Sequence, residues 1–285
     1  MIQNFASKSV LVTGCSSGIG RCVAKGLQTR GYRVFATARQ TQDLEELTAE
    51  GLEAIPLELS DDASIANTVD TVLERTEGQL YALFNNAAYG QPGAVEDLRR
   101  EVLRAQLETN TLGTQELTNR LIPAMRNQGA GRIIYNSSVL GFIALPFRGA
   151  YNASKYALEA LADTLRLELY GSGIRVSVIE PGPISSQFRH NSYRKYLENI
   201  DPEHSAHRQT YRAMEQRLKK RGPAVPFTLP PESVLKKVIH ALESPRPRAR
   251  YYVTVPTHVF AALKRLLPHT AMDWVLHRVS HNENR

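Results

Sequence analysis

Apolar and polar positions along this chain fall into two alternating textures. Short runs rich in β-branched residues are separated by longer stretches whose apolar positions recur every three or four residues. Val10 to Val12 opens the series as a strand, and a helix follows the glycine-rich segment to about Thr29. Strands are predicted over 32–38 and 52–59, with helices over 43–50 and 62–76. A fourth strand spans 80–85, and helical sequence with breaks runs over 95–127. Residues 132–136 read as a fifth strand, and a long helix carries Tyr151 onward to about Leu169. A sixth strand over 174–180 is stopped by Pro181-Gly182-Pro183, and 251–255 reads as a seventh.

Apolar strands spaced by helices predict a parallel sheet covered on both faces. Right-handed crossovers make it doubly wound, with ligands gathering at the carboxyl ends of the strands. The expected fold class is α/β, a doubly wound, Rossmann-type sheet of about seven strands. A single domain over 1–285 is expected. Residues 185–231 break the alternation with polar, aromatic, proline-bounded sequence, as a substrate lid would. Residues 257–285 read as an amphipathic helical segment in which Val259, Leu263, Leu266 and Leu267 share one face. A basic segment of that kind fits a domain face, a neighbouring subunit or an anionic membrane surface.

The +7 net charge is uneven: residues 189–285 hold 18 Lys and Arg against 8 Asp and Glu, and the remainder 17 against 20. No basic run with interleaved aromatics accompanies this, so a nucleic-acid partner is not expected. Two cysteines, Cys15 and Cys22, form neither a disulfide framework nor a Cys-x-x-Cys pair. The first eight residues lack the apolar region of a signal peptide, and a cytoplasmic protein is the expectation. The histidines lie between His190 and His281; His204/His207 and His277/His281 have ligand-like spacing without acidic or thiol neighbours, so no metal is expected.

Two constellations carry chemistry. Thr13-Gly14-Cys15-Ser16-Ser17-Gly18-Ile19-Gly20 follows the first strand and opens a helix. Such glycines let a backbone approach a pyrophosphate, and the helix start offers free N–H groups. The spacing differs from Gly-x-Gly-x-x-Gly. At the end of the second strand, Thr37-Ala38-Arg39 provides a base and no acid, which favours the 2′-phosphate of NADP over the free ribose of NAD. The second constellation is Tyr151 with Lys155, one helical turn apart, and Ser138 upstream. A fixed cation beside a phenol is expected to lower its pKa from ~10 toward neutrality. The pair would then trade a proton with a carbonyl or alcohol during hydride transfer.

These residues, with Asn85-Asn86-Ala87, Asn110 and Pro181-Gly182, resemble the short-chain dehydrogenase/reductase family over about residues 8–188. Cys-Ser-Ser-Gly-Ile-Gly and Glu-Pro-Gly-Pro-Ile are similar to a branch of bacterial NADP-dependent aldehyde reductases, with hydroxysteroid and retinol dehydrogenases as relatives. The resemblance implies that Tyr151 is the acid or base and that Lys155 holds its charge and the nicotinamide ribose. It implies that Ser138 binds the substrate oxygen and Asn110 a relay water. It implies a cofactor cradle of Gly14, Ser16, Ser17, Gly18, Ile19, Gly20, Arg39, Leu59, Asn86, Ala87, Pro181, Gly182, Ile184 and Ser186, shared with Tyr151 and Lys155. Ala88, Glu58 and Ser186 depart from the usual glycine, aspartate and threonine. A homodimer or tetramer is implied, meeting at the helix of Leu158, Leu161, Leu165 and Leu169. Phe142, Leu145, Phe147, Phe188, Tyr193 and Tyr196 suggest an apolar substrate pocket above Ser138. The expected activity is NADPH-dependent reduction of apolar aldehydes or ketones. A hydroxysteroid- or retinol-type alcohol dehydrogenase and a nucleotide-binding regulator are the alternatives.

Overall fold

The computed structural model describes residues 8–220, 222 and 225–283. Seven strands form one parallel sheet: β1 Ser9–Val12, β2 Arg33–Ala38, β3 Glu53–Pro56, β4 Ala82–Asn85, β5 Gly131–Asn136, β6 Ile174–Glu180 and β7 Arg250–Tyr252. Their order is β3-β2-β1-β4-β5-β6-β7. The order reverses between β1 and β4, and there the helices that follow neighbouring strands leave on opposite faces. A crevice opens at the carboxyl ends of the strands.

The period-2 alternation of the strands sorts their side chains onto two cores. Val10, Val12, Ala82 and Phe84 face one side with Val23, Leu27, Val234 and Val238. These last four come from helices α1 (Gly18–Thr29) and, later in the chain, Glu232–Glu243, a helix the sequence pattern did not predict. Leu11 and Leu83 face the opposite side with Ile65, Leu117, Leu121, Leu158 and Leu165. Those side chains belong to α3 (Asp62–Arg75), α5 (Thr114–Asn127) and α6 (Gly149–Glu168); α2 (Thr41–Ala49) lies between β2 and β3.

Four boundaries differ from expectation. The third strand shortens to Glu53–Pro56. Helical sequence over 95–127 is broken into α4 (Arg100–Leu107), a π-helical turn Glu108–Gly113 and α5. The lid region contains two helices, α7 (Phe188–Asn199) and α8 (Arg208–Lys219), so α9 is Glu232–Glu243. The last strand ends at Tyr252, because Pro256 sits in the first turn of α10 (Val255–Leu266), where its missing N–H costs nothing. Helix α11 (His269–Glu283) closes the described chain.

Two expectations about surfaces are corrected. Leu158 and Leu165 on α6, and Leu169 just after it, are core residues packed under the sheet; of the four leucines only Leu161 reaches the surface. The α10 leucines do not form one face: Leu263 and Leu267 pack inward against Leu140, Ile143 and Leu145 together with Met272 and Leu276. Val259 and Leu266 remain exposed. Among the described residues no helix is long and apolar enough to cross a membrane.

Candidate active site

The loop after β1 is pinned from two directions. Cys15 N–H donates to Thr37 O at 2.7 Å and Gly14 N–H to Thr37 Oγ1 at 3.3 Å, tying it to β2. Thr13 Oγ1 accepts from Asn86 N–H (2.8 Å) and Ala87 N–H (2.9 Å), tying it to the turn after β4. Gly14 has φ +71°, and a Cβ there would stand 2.8 Å from Ala87 Cα. Gly18 has φ +56°, and a Cβ would meet the Ser186 side chain at 2.9 Å. Only glycine satisfies both the left-handed backbone and the close approach. Gly20 is buried beneath, with no room for a Cβ against the Gly14 carbonyl. Thr13 is a residue that its motif position offered and the sequence reading left without a role.

One cleft of about 2400 Å³ runs from Gly14, Ser16, Ser17, Gly18 and Ile19 past Arg39, Leu59, Asn86 and Ala87. It continues to Ser138, Tyr151 and Lys155, and is bounded by Pro181, Gly182, Ile184 and Ser186. Small-ligand pockets span roughly 300–1,000 Å³, so this cleft has room for a dinucleotide and a second molecule. Its glycine cradle at a helix start and its polar floor fit the pyrophosphate and the carboxamide of a nicotinamide dinucleotide.

Arg39 is more than half exposed at the end of β2, with Nη1 3.4 Å from Glu58 Oε2. Burial pushes the Glu58 carboxyl up, but hydrogen bonds from Ser60 and the nearby Arg39 charge outweigh it and hold the group below its ordinary value. Glu58 is thus anchored by Ser60 N–H (3.1 Å) and Oγ (2.9 Å), while Arg39 is held only loosely and is free to turn toward an anion.

At the other end, Ser138 leaves β5 in extended conformation and its Oγ accepts from Leu140 N–H at 3.1 Å. That bond fixes the hydroxyl, which Tyr151 meets through a hydrogen bond from α6. Lys155 is buried; its Nζ donates to Asn136 O at 2.8 Å and lies 5.8 Å from the centre of the Tyr151 ring. Asn110 sits in the π-helical turn with its side chain committed. Its Oδ1 accepts from Tyr89 N–H at 3.1 Å, and Nδ2 donates to Tyr89 O (2.9 Å) and Ser154 Oγ (3.1 Å). The side chain therefore fastens the turn after β4 to the helix of Tyr151. Ser154 had no recognisable signal in sequence beyond its place in Tyr-Asn-Ala-Ser-Lys.

The electrostatics correct one expectation. Burial pushes the Tyr151 hydroxyl up to about 12, with the Ser138 hydrogen bond opposing, although the ring opens onto the cleft. Burial also pushes Lys155 down to about 8, with Glu159 opposing. The ammonium faces a carbonyl oxygen and the ring, so it does not depress the phenol in this state. Tyr151 is held protonated, which is the form a proton donor needs.

The aromatic residues separate. Phe188 lies edge-on to Tyr151, ring centres 5.2 Å apart, and closes the cleft from the lid. Leu145 lines the same wall. Phe147 and Tyr193 reach the cleft margin, but both pack on the lid cluster around Tyr211 and Met214. Tyr196 is buried inside that cluster. Phe142 turns away from the cleft, packing beside Tyr252 at 5.9 Å and under the last two helices. Its assignment to the pocket is a correction: the short turn after Ser138 points it at α10, a contact that local sequence does not encode. In its place α10 brings Val259, which sequence reasoning placed on the amphipathic face, and Phe260, which it left without a role, to the cleft wall.

His204 bonds Asp201 at 2.7 Å, whereas His207 pairs with Glu96. The two therefore point at different partners. The side chain of His281 lies outside the described residues. Among those described, no three His, Cys, Asp or Glu side chains converge as a metal site.

A parallel sheet reversing between β1 and β4, a glycine cradle at the crevice and a serine–tyrosine–lysine set at its floor together define a nucleotide-dependent oxidoreductase. The chain belongs to the short-chain dehydrogenase family, whose model matches residues 8–197. It is 42% identical over 269 residues to the uncharacterized oxidoreductase YbbO of Escherichia coli strain K12, covering 94% of each chain. It is 32% identical to human 17-beta-hydroxysteroid dehydrogenase type 1, over 86% of this chain and 77% of that protein. A crystal structure of a short-chain dehydrogenase from Streptomyces avermitilis superposes with a TM-score of 0.75, at 28% identity and 99% coverage of both chains.

Proposed function

We propose that this protein is an NADPH-dependent reductase of apolar aldehydes or ketones. The observation that carries the reading is the Tyr151 hydroxyl meeting Ser138, with Lys155 at its ring, under an apolar wall of Leu145, Phe188, Val259 and Phe260. A bound reduced nicotinamide supplies the hydride. As charge grows on the carbonyl oxygen, the Ser138 and Tyr151 hydroxyls lie where they stabilise it more than the ground state. Tyr151 then gives its proton to that oxygen. The resulting phenolate gains more from the Lys155 ammonium beside its ring than the neutral phenol does. Asn110 and Ser154 hold the helix against the cofactor side of the cleft. Phe188 and the lid helices exclude water.

Arg39 supports the NADP preference because it is the base nearest the ribose end and is weakly tied. Arg39→Ala is expected to cut the NADPH-over-NADH preference about tenfold or more by removing one charge-assisted pair. Equal preference before and after, measured by titrating both nucleotides, would take Arg39 out of the reading. The apolar wall predicts that kcat/KM rises with alkyl chain length, by a few-fold per methylene at ~0.8 kcal/mol each until the wall is filled. An NADPH-oxidation screen over aldehydes and ketones of graded length and ring count tests it, and indifference to length sinks the pocket assignment.

A second reading, oxidation of a steroid- or retinol-like alcohol, is favoured by the similarity to the human hydroxysteroid dehydrogenase. The same screen run with NADP and alcohols separates the two. Exposed Tyr156, Leu161 and Leu167 on α6 support association with a second copy. Exposed Leu266 next to Arg265, and exposed Trp274 under the Arg278 guanidinium, support peripheral contact with an anionic membrane.

A further inference from the structure

Tyr151, Lys155, Glu159 and Asp163 succeed one another at four-residue spacing, so α6 presents a phenol, an ammonium and two carboxylates along a single face. Glu159 is 6% exposed. It lies against the loop of Ser138: a Cβ on Gly141 would stand 2.9 Å from Glu159 Oε1 and 2.5 Å from Ser137 Oγ. Glycine at 141 is what lets the carboxylate in. From the far side, the Arg250 guanidinium on β7 holds it, pairing at once with Glu159, with Glu180 at 2.5 Å and with Asp163 at 2.5 Å. Glu180 is fully buried at the end of β6, immediately before the Pro181-Gly182 turn.

Burial, and then the Glu159 charge, push the Glu180 carboxyl up, with Arg250 opposing. Tyr151 and Glu159 stand one turn to either side of Lys155 on its own helix. β5 contributes the Asn136 carbonyl, and Glu180, Arg250 and Asp163 stand behind Glu159. Glu159 is thus the carboxylate that opposes the loss of the buried Lys155 charge. A cation buried without such a partner gives up its proton.

We propose that Glu159 is a positioning residue that acts through Lys155: its carboxylate, clamped by Arg250, keeps the buried ammonium charged beside Tyr151. The importance of that charge rests on the reading of Lys155 given above; the pairing itself does not. The direct test is a pH titration of Lys155 in cofactor-free protein carrying [ε-13C]lysine, its signal assigned by loss in Lys155→Arg. The wild type is expected to titrate near pH 8. Glu159→Gln should titrate about one unit lower, a tenfold loss of proton affinity. Glu159→Asp should recover part of the shift. An unchanged inflection in folded Glu159→Gln overturns the proposal.

Glu159→Gln could unfold the chain by leaving the Lys155 charge unpaired, in which case Glu159→Gln combined with Lys155→Met should fold, since both charges are then gone. If the combined variant fails while Lys155→Met alone folds, Glu159 serves the Arg250 clamp only and the proposal falls. The alkaline limb of kcat in reduction should move down with the Lys155 titration in Glu159→Gln. A limb that stays put while the titration moves upholds the pairing and refutes the catalytic reading of Lys155.

Discussion

Tyr151→Phe binds nucleotide within about threefold of wild type but turns over some 10²–10⁴-fold more slowly, the usual worth of a positioned general acid. The ring stays because its packing does: Phe188 meets its edge, and Lys155 lies beneath its face. Only the hydroxyl shared with Ser138 is lost. The expected loss falls on kcat, since the hydroxyl acts on charge that exists only in the transition state. Stopped-flow NADPH oxidation beside a fluorescence titration of NADPH binding separates the two quantities. A rise in KM with kcat unchanged would make Tyr151 a binding residue instead.

Lys155→Met has the second large effect, and it reaches further. Methionine fills most of the volume but removes the donor to Asn136 O and the charge beside Tyr151. A buried acceptor left without a donor costs about 1–3 kcal/mol, and Glu159 loses the cation one turn away, keeping Arg250 as its partner. Thermal or urea unfolding should therefore show a loss of that order. At the same time kcat/KM should fall by about 10³-fold or more, because nucleotide binding and phenolate stabilisation fail together. A variant as stable as wild type, or one with intact kcat, would show that Lys155 fills space and little else.

How far the molecule was legible in its sequence follows from the range over which each signal acts. The alternation of apolar runs and helical stretches is local, and the seven strands emerged in order, with the sheet reversing where the glycine loop sits. Motif spacing placed Tyr151, Lys155 and Ser138 together, because four residues on α6 and a strand end on β5 fix their distance. What stayed hidden depends on contacts between distant segments. Phe142 is drawn away by α10 and α11, more than a hundred residues later, and Val259 and Phe260 take the wall instead. The α6 leucines read as an interface because a helix buried on one face looks alike whichever surface covers it. The Arg250 clamp joins β7 to α6 across 91 and 87 residues, and no spacing rule announces it. Burial likewise reversed the expected tuning of Tyr151, since desolvation is a property of the packed core and not of neighbouring letters.

Transfer of label from [4,4-2H2]NADPH to a medium-chain aldehyde tests the central claim most directly, read as deuterium at C1 of the product alcohol. The proton-donor account predicts deuterium at that carbon with the wild type, and transfer at least about 100-fold slower with nucleotide-loaded Tyr151→Phe. Equal transfer by the two proteins, or none by the wild type to any carbonyl of a graded panel while nucleotide is bound, would contradict it.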